Sequence, residues 1–430
     1  MLDLGYLLEH IPDFRDQVLP HLSLQDFCSL SSVNLQFREI TPGLSSETIR
    51  MLQIGADSFA WNIISRSKPA KVAAWLQKFC CQLESLEIRA VHNVVDRIES
   101  NILLELFSAF HVGNFPLLTR IAVISGPEVS SSLLHTIFHA LERIEPSNIE
   151  QIGLEIAARK DVAEKPELSL YLQAFFRQNR HSLTQLQAKF SHFHQCKTAW
   201  EALINSGLLQ LRTVSIQLLD EGDQIDAARK TVSSAMDIQD ALFPYRNQSL
   251  SLFPNLESLI FKGYDASACG ITVSNFGLRF LRHVLTACSG LKELRVDFPM
   301  VGFNVFEALR SAPIELRNLE FVFDSQHEQL LDSFFQVKGA GLRKLWIGKG
   351  TCISPSTPIL EADTNFYLIR LIGQYCTALT FLSVSCRDER MVNALAHRCM
   401  RGDFVNSADL TSIELINARN GNAQVLRGPF

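Results

Sequence analysis

Apolar and polar positions follow one recurring pattern along this chain. In Leu291-Lys-Glu-Leu-Arg-Val296, apolar residues stand at offsets 0, 3 and 5 with polar residues between them. Leu294 and Val296 are two residues apart, so in a strand both side chains point to one face. Glu293, Arg295 and Asp297 then point to the other. The preceding segment, 276–288 (FGLRFLRHVLTAC), carries apolar residues at helical spacing. The unit therefore predicts a helix, a tight turn at Gly290, a short strand and a loop. The same offsets recur at Leu83-Leu86-Ile88, Leu118-Ile121-Val123, Ile149-Ile152-Leu154, Leu183-Leu186-Ala188, Leu211-Val214-Ile216 and Leu256-Leu259-Phe261. After the Leu291 unit come Leu316-Leu319-Phe321, Leu342-Leu345-Ile347, Leu379-Leu382-Val384 and Leu410-Ile413-Leu415. One such unit cannot bury its apolar face alone, whereas stacked copies can.

Unit starts lie roughly 25 to 45 residues apart, the period of a leucine-rich repeat with irregular spacing. The expected fold is an α/β solenoid, a horseshoe with parallel strands inside and helices outside. Amphipathic helices are predicted at 102–110, 131–144, 168–179, 197–204, 304–310, 329–336, 364–376 and 391–399. Long connections follow Ile216, Phe261 and Ile347, all on the rim where strands end, a place where solenoids add binding surface. The alternating offsets expose a concave face that includes Glu293, Arg295, Asp297, Lys344, Trp346 and Phe381. Signs on this face are mixed. Trp346 and Phe381 are aromatics at positions a soluble strand normally gives to polar residues. They suit either packing under a nearby loop or a hot spot for a protein substrate.

Residues 7–40 differ from everything after them. Ile11-Pro12 opens the stretch, Asp13 can cap a helix, and Ser23 with Asp26 sits at capping-box spacing. Apolar residues then continue at helical spacing, giving a small helical hairpin with more apolar surface than it can bury by itself. The run Ile-Pro-Asp…Val-Leu-Pro-His-Leu-Ser-Leu-Gln-Asp-Phe…Val-Asn…Phe-Arg-Glu resembles the F-box family, whose motif is often followed by leucine-rich repeats. Ile11 replaces the family's usual leucine. Pro20 stands where a helix-compatible residue is usual and should end the helix early. Cysteines three residues before Leu83, Leu291 and Leu379 (Cys80, Cys288 and Cys376) resemble the cysteine-containing repeats of F-box proteins.

The resemblance implies a substrate receptor of a Skp–cullin–F-box ubiquitin ligase. Ile11, Pro12, Val18, Leu19, Leu22, Leu24, Phe27, Leu30, Val33 and Phe37 would dock a Skp-type adaptor, and through it a cullin, while the repeats hold a protein substrate. The expected domains are an F-box-like helical module over 1–45, a helical linker or cap over 46–82 with helices at 47–52 and 72–76, and the irregular solenoid over 83–430. The competing reading is a leucine-rich-repeat interaction scaffold whose first residues only cap the solenoid.

Composition adjusts this picture at the edges. The formal net charge is −5 and no basic tract occurs, so nucleic acid is not an expected partner. The opening residues lack a basic start and a clean apolar run, and no apolar run is long enough to span a bilayer. No secretory signal or membrane segment is expected, and the cysteines, which form no C-x-x-C pair, are expected as reduced core thiols of a cytoplasmic or nuclear protein. No P-loop, G-x-S-x-G, H-E-x-x-H or G-x-G-x-x-G is present. His192, His194 and Cys196 would face one way if extended, as metal ligands could, but an ordinary loop is the simpler account of them. No cofactor, metal site or catalytic activity is expected.

Overall fold

The structure is a computed structural model of the chain. It describes residues 51–55 and 83–90, the greater part of 115–218 and 285–428, and 253–262. The chain divides into two compact units, Met1–Gln210 and Leu211–Phe430.

Among the described residues the first unit is built on five strands, β1 (Met51–Gly55), β2 (Ser85–Ala90), β3 (Arg120–Ser125), β4 (Gln151–Ile156) and β5 (Gln185–Phe190). They pair parallel in chain order. Helix α1 (Glu167–Gln178) crosses from β4 to β5. Parallel neighbours need such a crossover.

The second unit holds β6 (Thr213–Leu218), β7 (Ser258–Lys262), β8 (Glu293–Pro299), β9 (Asn318–Val322), β10 (Lys344–Ile347), β11 (Phe381–Cys386) and β12 (Ser412–Asn417), again parallel in chain order. A last strand, β13 (Ala423–Arg427), runs antiparallel to β12. Between them lie α2 (Phe303–Ser311), α3 (Glu328–Lys338), α4 (Ala362–Tyr375) and α5 (Glu389–Met400). Helix α2 packs on α3, α3 on α4, and α5 on β11 and β12.

Register carries the repeat into three dimensions. Leu259, Leu294, Leu319, Leu345, Leu382 and Ile413 are register partners in turn across β7 to β12. All six have no accessible surface. A slip of one residue would turn this whole row out to solvent, so burial itself fixes the register. Among the described pairings of β7 to β12, regularity is lost between Arg295 and Pro299 of β8. Even the weak copy at Leu183 forms a full strand: Leu186, Ala188 and Phe190 are buried along β5.

The turn before each strand is closed the same way in five copies. The N–H of Leu118, Leu256, Leu291, Leu342 and Leu379 donates to the carbonyl three residues earlier, on Phe115, Phe253, Cys288, Gly339 and Cys376. All five acceptor residues are buried. The cysteine spacing thus marks a buried turn position, but the position does not demand a small residue, since two phenylalanines also fill it. Burial pushes the Cys288 and Cys376 thiols up to about 12. At pH 8 only about one such thiol in ten thousand would be ionised, and the thiolate is the reactive form. Iodoacetamide labelling read by peptide mass spectrometry should leave both cysteines unmodified in the native protein and modify both in urea. Cys80 lies outside the described residues.

One expectation about the ends is corrected. Residues 47–52 were expected in a helix, and the first strand at Leu83. Met51 and Leu52 instead open β1, which pairs with β2 from Met51↔Ser85 to Gly55↔Arg89. Ile49, Leu52 and Ile54 repeat the offsets of every other unit. The three-residue step from Ile49 to Leu52 suits a helix equally well, and pairing with a neighbour decides in favour of a strand. Within the solenoid expected over 83–430, a strand outside the repeat pattern, β13, follows the Leu410 copy. The Asn420-Gly421 pair just ahead is a hairpin signal. No helix among the described residues is long and apolar enough to cross a membrane.

Candidate functional site

Alternation along each strand sends the leucine row into the core and the residues between to the opposite, open face of the sheet. A second, regular device fixes the edge where the strands begin. The carbonyl of the residue just before one strand accepts two N–H groups from the next copy. Lys292 O takes Arg317 N (2.7 Å) and Asn318 N (3.1 Å); Arg317 O takes Arg343 N (2.7 Å) and Lys344 N (3.1 Å); Arg343 O takes Thr380 N (2.8 Å) and Phe381 N (3.1 Å). Pre-strand residues are thereby lined up along one edge. In the second unit four of them are cationic and exposed: Arg212, Lys292, Arg317 and Arg343.

The open face of the second unit is largely self-satisfied. Ser258 Oγ donates to Glu293 Oε2 on the next strand (2.7 Å), Arg295 Nε to Glu320 Oε2 (2.6 Å), and Ser383 Oγ to Glu414 Oε2 (2.9 Å). Each pair joins direct register partners, where cross-strand side chains meet at the closest approach. At the edge, Lys292 Nζ donates to Glu257 Oε2 (3.0 Å). That hydrogen bond and charge hold the Glu257 carboxyl below its ordinary value, with Arg212 and Arg317 acting in the same direction.

An aromatic patch interrupts this polar ladder. Trp346 and Phe381, on adjacent strands, lie with ring centroids 5.4 Å apart and planes inclined by 47°. The Arg295 guanidinium carbon sits 4.1 Å from the Trp346 ring centroid, an attractive cation–π position. Both rings are half-buried. Lys344 is the register partner of Phe381 and is exposed.

Of the face residues expected from sequence, Arg295, Lys344, Trp346 and Phe381 form one cluster. Glu293 lies two strands from Lys344 and is held by Ser258. Asp297 belongs to β8, but its side chain lies outside the described residues. Ile11, Pro12, Val18, Leu19, Leu22, Leu24, Phe27, Leu30, Val33 and Phe37 lie outside them as well, as do His192, His194 and Cys196. The long connections after Ile216, Phe261 and Ile347 lie almost wholly outside them. Among the described residues, no three His, Cys, Asp or Glu side chains come together as metal ligands could.

Sequence reading missed three contributors. Arg317 and Arg343 are the pre-strand residues of the edge, and their signal was a cation at the same offset in successive copies. Ile260, half-buried and the register partner of Arg295, is an apolar residue at a face position.

In the first unit the face is different. Glu155 and Lys189, register partners, pair at 3.1 Å. Beside them, Ala122 and Gly153 make a low strip, with the Ala122 methyl 3.4 Å from where a side chain on Gly153 would begin. At the edge where these strands begin, an open cleft of about 580 Å³ is lined by Glu84, Thr119, Glu150, His181 and Thr184 among others.

The fold and its open face define a mixed α/β protein of in-register helix–strand units, with a mostly parallel sheet in each compact unit. No protein-family model and no curated protein matches the sequence. Among solved structures the chain is similar to the crystal structure of the Rad7 and Elc1 complex in yeast, at a TM-score of 0.40 and 12% identity, over 93% of this chain and 96% of that chain.

Proposed function

We propose that this chain is a leucine-rich-repeat protein with an N-terminal F-box-like module, serving as the substrate-recognition adaptor of a Skp–cullin–F-box ubiquitin ligase. Its first 45 residues would lay an apolar helical surface into a groove of a Skp-type adaptor. The repeats would hold a protein substrate and raise its effective concentration near the transferring enzyme. The chain itself would make and break no bonds; ubiquitin transfer would fall to its partners.

The observation that supports substrate holding is the patch on β8 to β11. Around it, charges are matched strand to strand. At it stand two half-buried aromatics and an exposed lysine that no carboxylate among the described residues pairs with, which is the composition of a protein-binding hot spot. The sequence resemblance of residues 7–40 supports the adaptor half of the reading.

Removing residues 1–45 separates a docking module from a mere cap. The shortened chain should lose recovery of a Skp-type adaptor while its melting temperature changes little. A large drop in melting temperature with adaptor recovery unchanged would reject the reading.

A further inference from the structure

The edge and the aromatic patch adjoin. Arg317 and Arg343 immediately precede β9 and β10, and Lys344 follows Arg343 onto the open face beside Phe381. No carboxylate among the described residues lies within salt-bridge distance of these three cations. The neighbouring acids are already engaged: Glu257 by Lys292, Glu293 by Ser258, Glu320 by Arg295. Glu315, exposed on the turn into β9, offsets one of the three charges. The surplus stands out in a chain whose net charge is −5.

We infer that the surface formed by Arg317, Arg343, Lys344, Trp346 and Phe381 binds an extended acidic peptide segment that also carries an apolar side chain. Its carboxylates lie against the three cations, and its apolar side chain covers the exposed edges of Trp346 and Phe381.

Charge complementarity selects this occupant. The backbone ladder sets Arg317 and Arg343 on neighbouring strands about 5 Å apart, the inter-strand distance. Carboxylates two residues apart on one side of an extended chain are about 7 Å apart, so long side chains can meet them. The cations attract and orient the segment, while the rings supply desolvated contact. A nucleic acid would use the same cations, but it offers no aliphatic side chain to this aromatic pair. The inference rests on the substrate-receptor reading and names the class of segment that the receptor holds.

The test uses the full chain and fluorescein-labelled twelve-residue peptides, read by anisotropy. The probes are an alternating Glu/Leu sequence, its Lys/Leu and Glu/Ser counterparts, and a single-stranded DNA 12-mer. The Glu/Leu peptide should bind at least tenfold more tightly than any of the other three. Trp346→Ala and, separately, the exposed substitution R343E should each weaken it about tenfold, whereas Lys189→Glu in the first unit should leave it unchanged. R343Q provides a milder exposed change and should weaken binding several-fold without moving the melting temperature. Equal binding of the Lys/Leu or Glu/Ser peptide, tighter binding of the DNA, or unchanged affinity in R343E and R343Q would overturn the inference. The adaptor would dock at residues 1–45, so substitutions on this surface should leave adaptor recovery unchanged. Failure here with intact adaptor recovery would discard the acidic segment alone; loss of adaptor recovery would discard the receptor reading.

Discussion

Phe321→Ala should cost about 3–5 kcal/mol, the range found when a large aromatic is cut from a packed core. Phe321 has no accessible surface and belongs to β9, in the middle of the second unit's parallel strands. Its ring cannot be replaced by collapse from one side, because β9 is held in register by both β8 and β10. Repeat proteins derive stability from each unit and its nearest neighbours. The loss should therefore be local. Amide hydrogen exchange should show lost protection in β8 to β10, with β2 to β5 of the first unit close to wild type. A uniform loss across both units, or a change below about 1 kcal/mol in the denaturant midpoint analysis, would contradict this picture of the core.

Gly348→Ala should be nearly as damaging, although it adds one carbon. Gly348 follows β10 with φ of 102°, and a β-carbon there would sit 2.6 Å from Ser385 Cβ. Its N–H also donates to the Phe321 carbonyl at 3.2 Å, so the backbone cannot turn away freely. Unfavourable backbone conformation costs about 1–3 kcal/mol and overpacking about 1–3 kcal/mol more. Gly207 isolates the first contribution: its φ is 63°, and nothing lies within 4 Å of an added β-carbon. Gly207→Ala should therefore cost only about 1 kcal/mol. Urea unfolding of the two variants side by side gives the comparison. Equal losses would mean that Ser385 yields and the contact costs nothing.

The parallel strands from β2 to β12 were legible in the sequence because each repeats the same three apolar offsets, and among the described side chains burial makes those positions costly to change. Of the expected helices, those at 168–179, 304–310, 329–336, 364–376 and 391–399 were legible from periodicity to within a few residues at each end; the helix expected at 364–376, for example, runs from Ala362 to Tyr375, while those expected at 102–110, 131–144 and 197–204 lie wholly or largely outside the described residues. Strand β1 was hidden because its apolar spacing also fits a helical turn. Strand β13 was hidden because its sides alternate only between exposed and half-buried, so no apolar row announces it.

The face was legible as a list but not as an arrangement. Alternation alone placed Arg295, Trp346 and Phe381 on one side. That Arg295 holds Glu320 and also lies over Trp346 depends on rotamers and on strand neighbours, which a linear pattern does not encode. Lys344 gained its meaning from Phe381 beside it. Arg317 and Arg343 gained theirs from the edge ladder, a backbone feature whose one trace in the sequence is a cation at the same offset in successive copies.

The receptor proposal turns on residues 7–40, and one measurement bears on it most directly. Full-length chain, wild type and carrying Leu24→Asp with Phe27→Asp, would be mixed with a purified Skp-type adaptor and recovered by affinity capture. The proposal expects a stoichiometric complex with the wild type and at least a tenfold loss with the double variant at unchanged melting temperature. Charges placed on an apolar docking surface should prevent its burial against the adaptor. Equal recovery of both proteins, or no complex with the wild type, would contradict it.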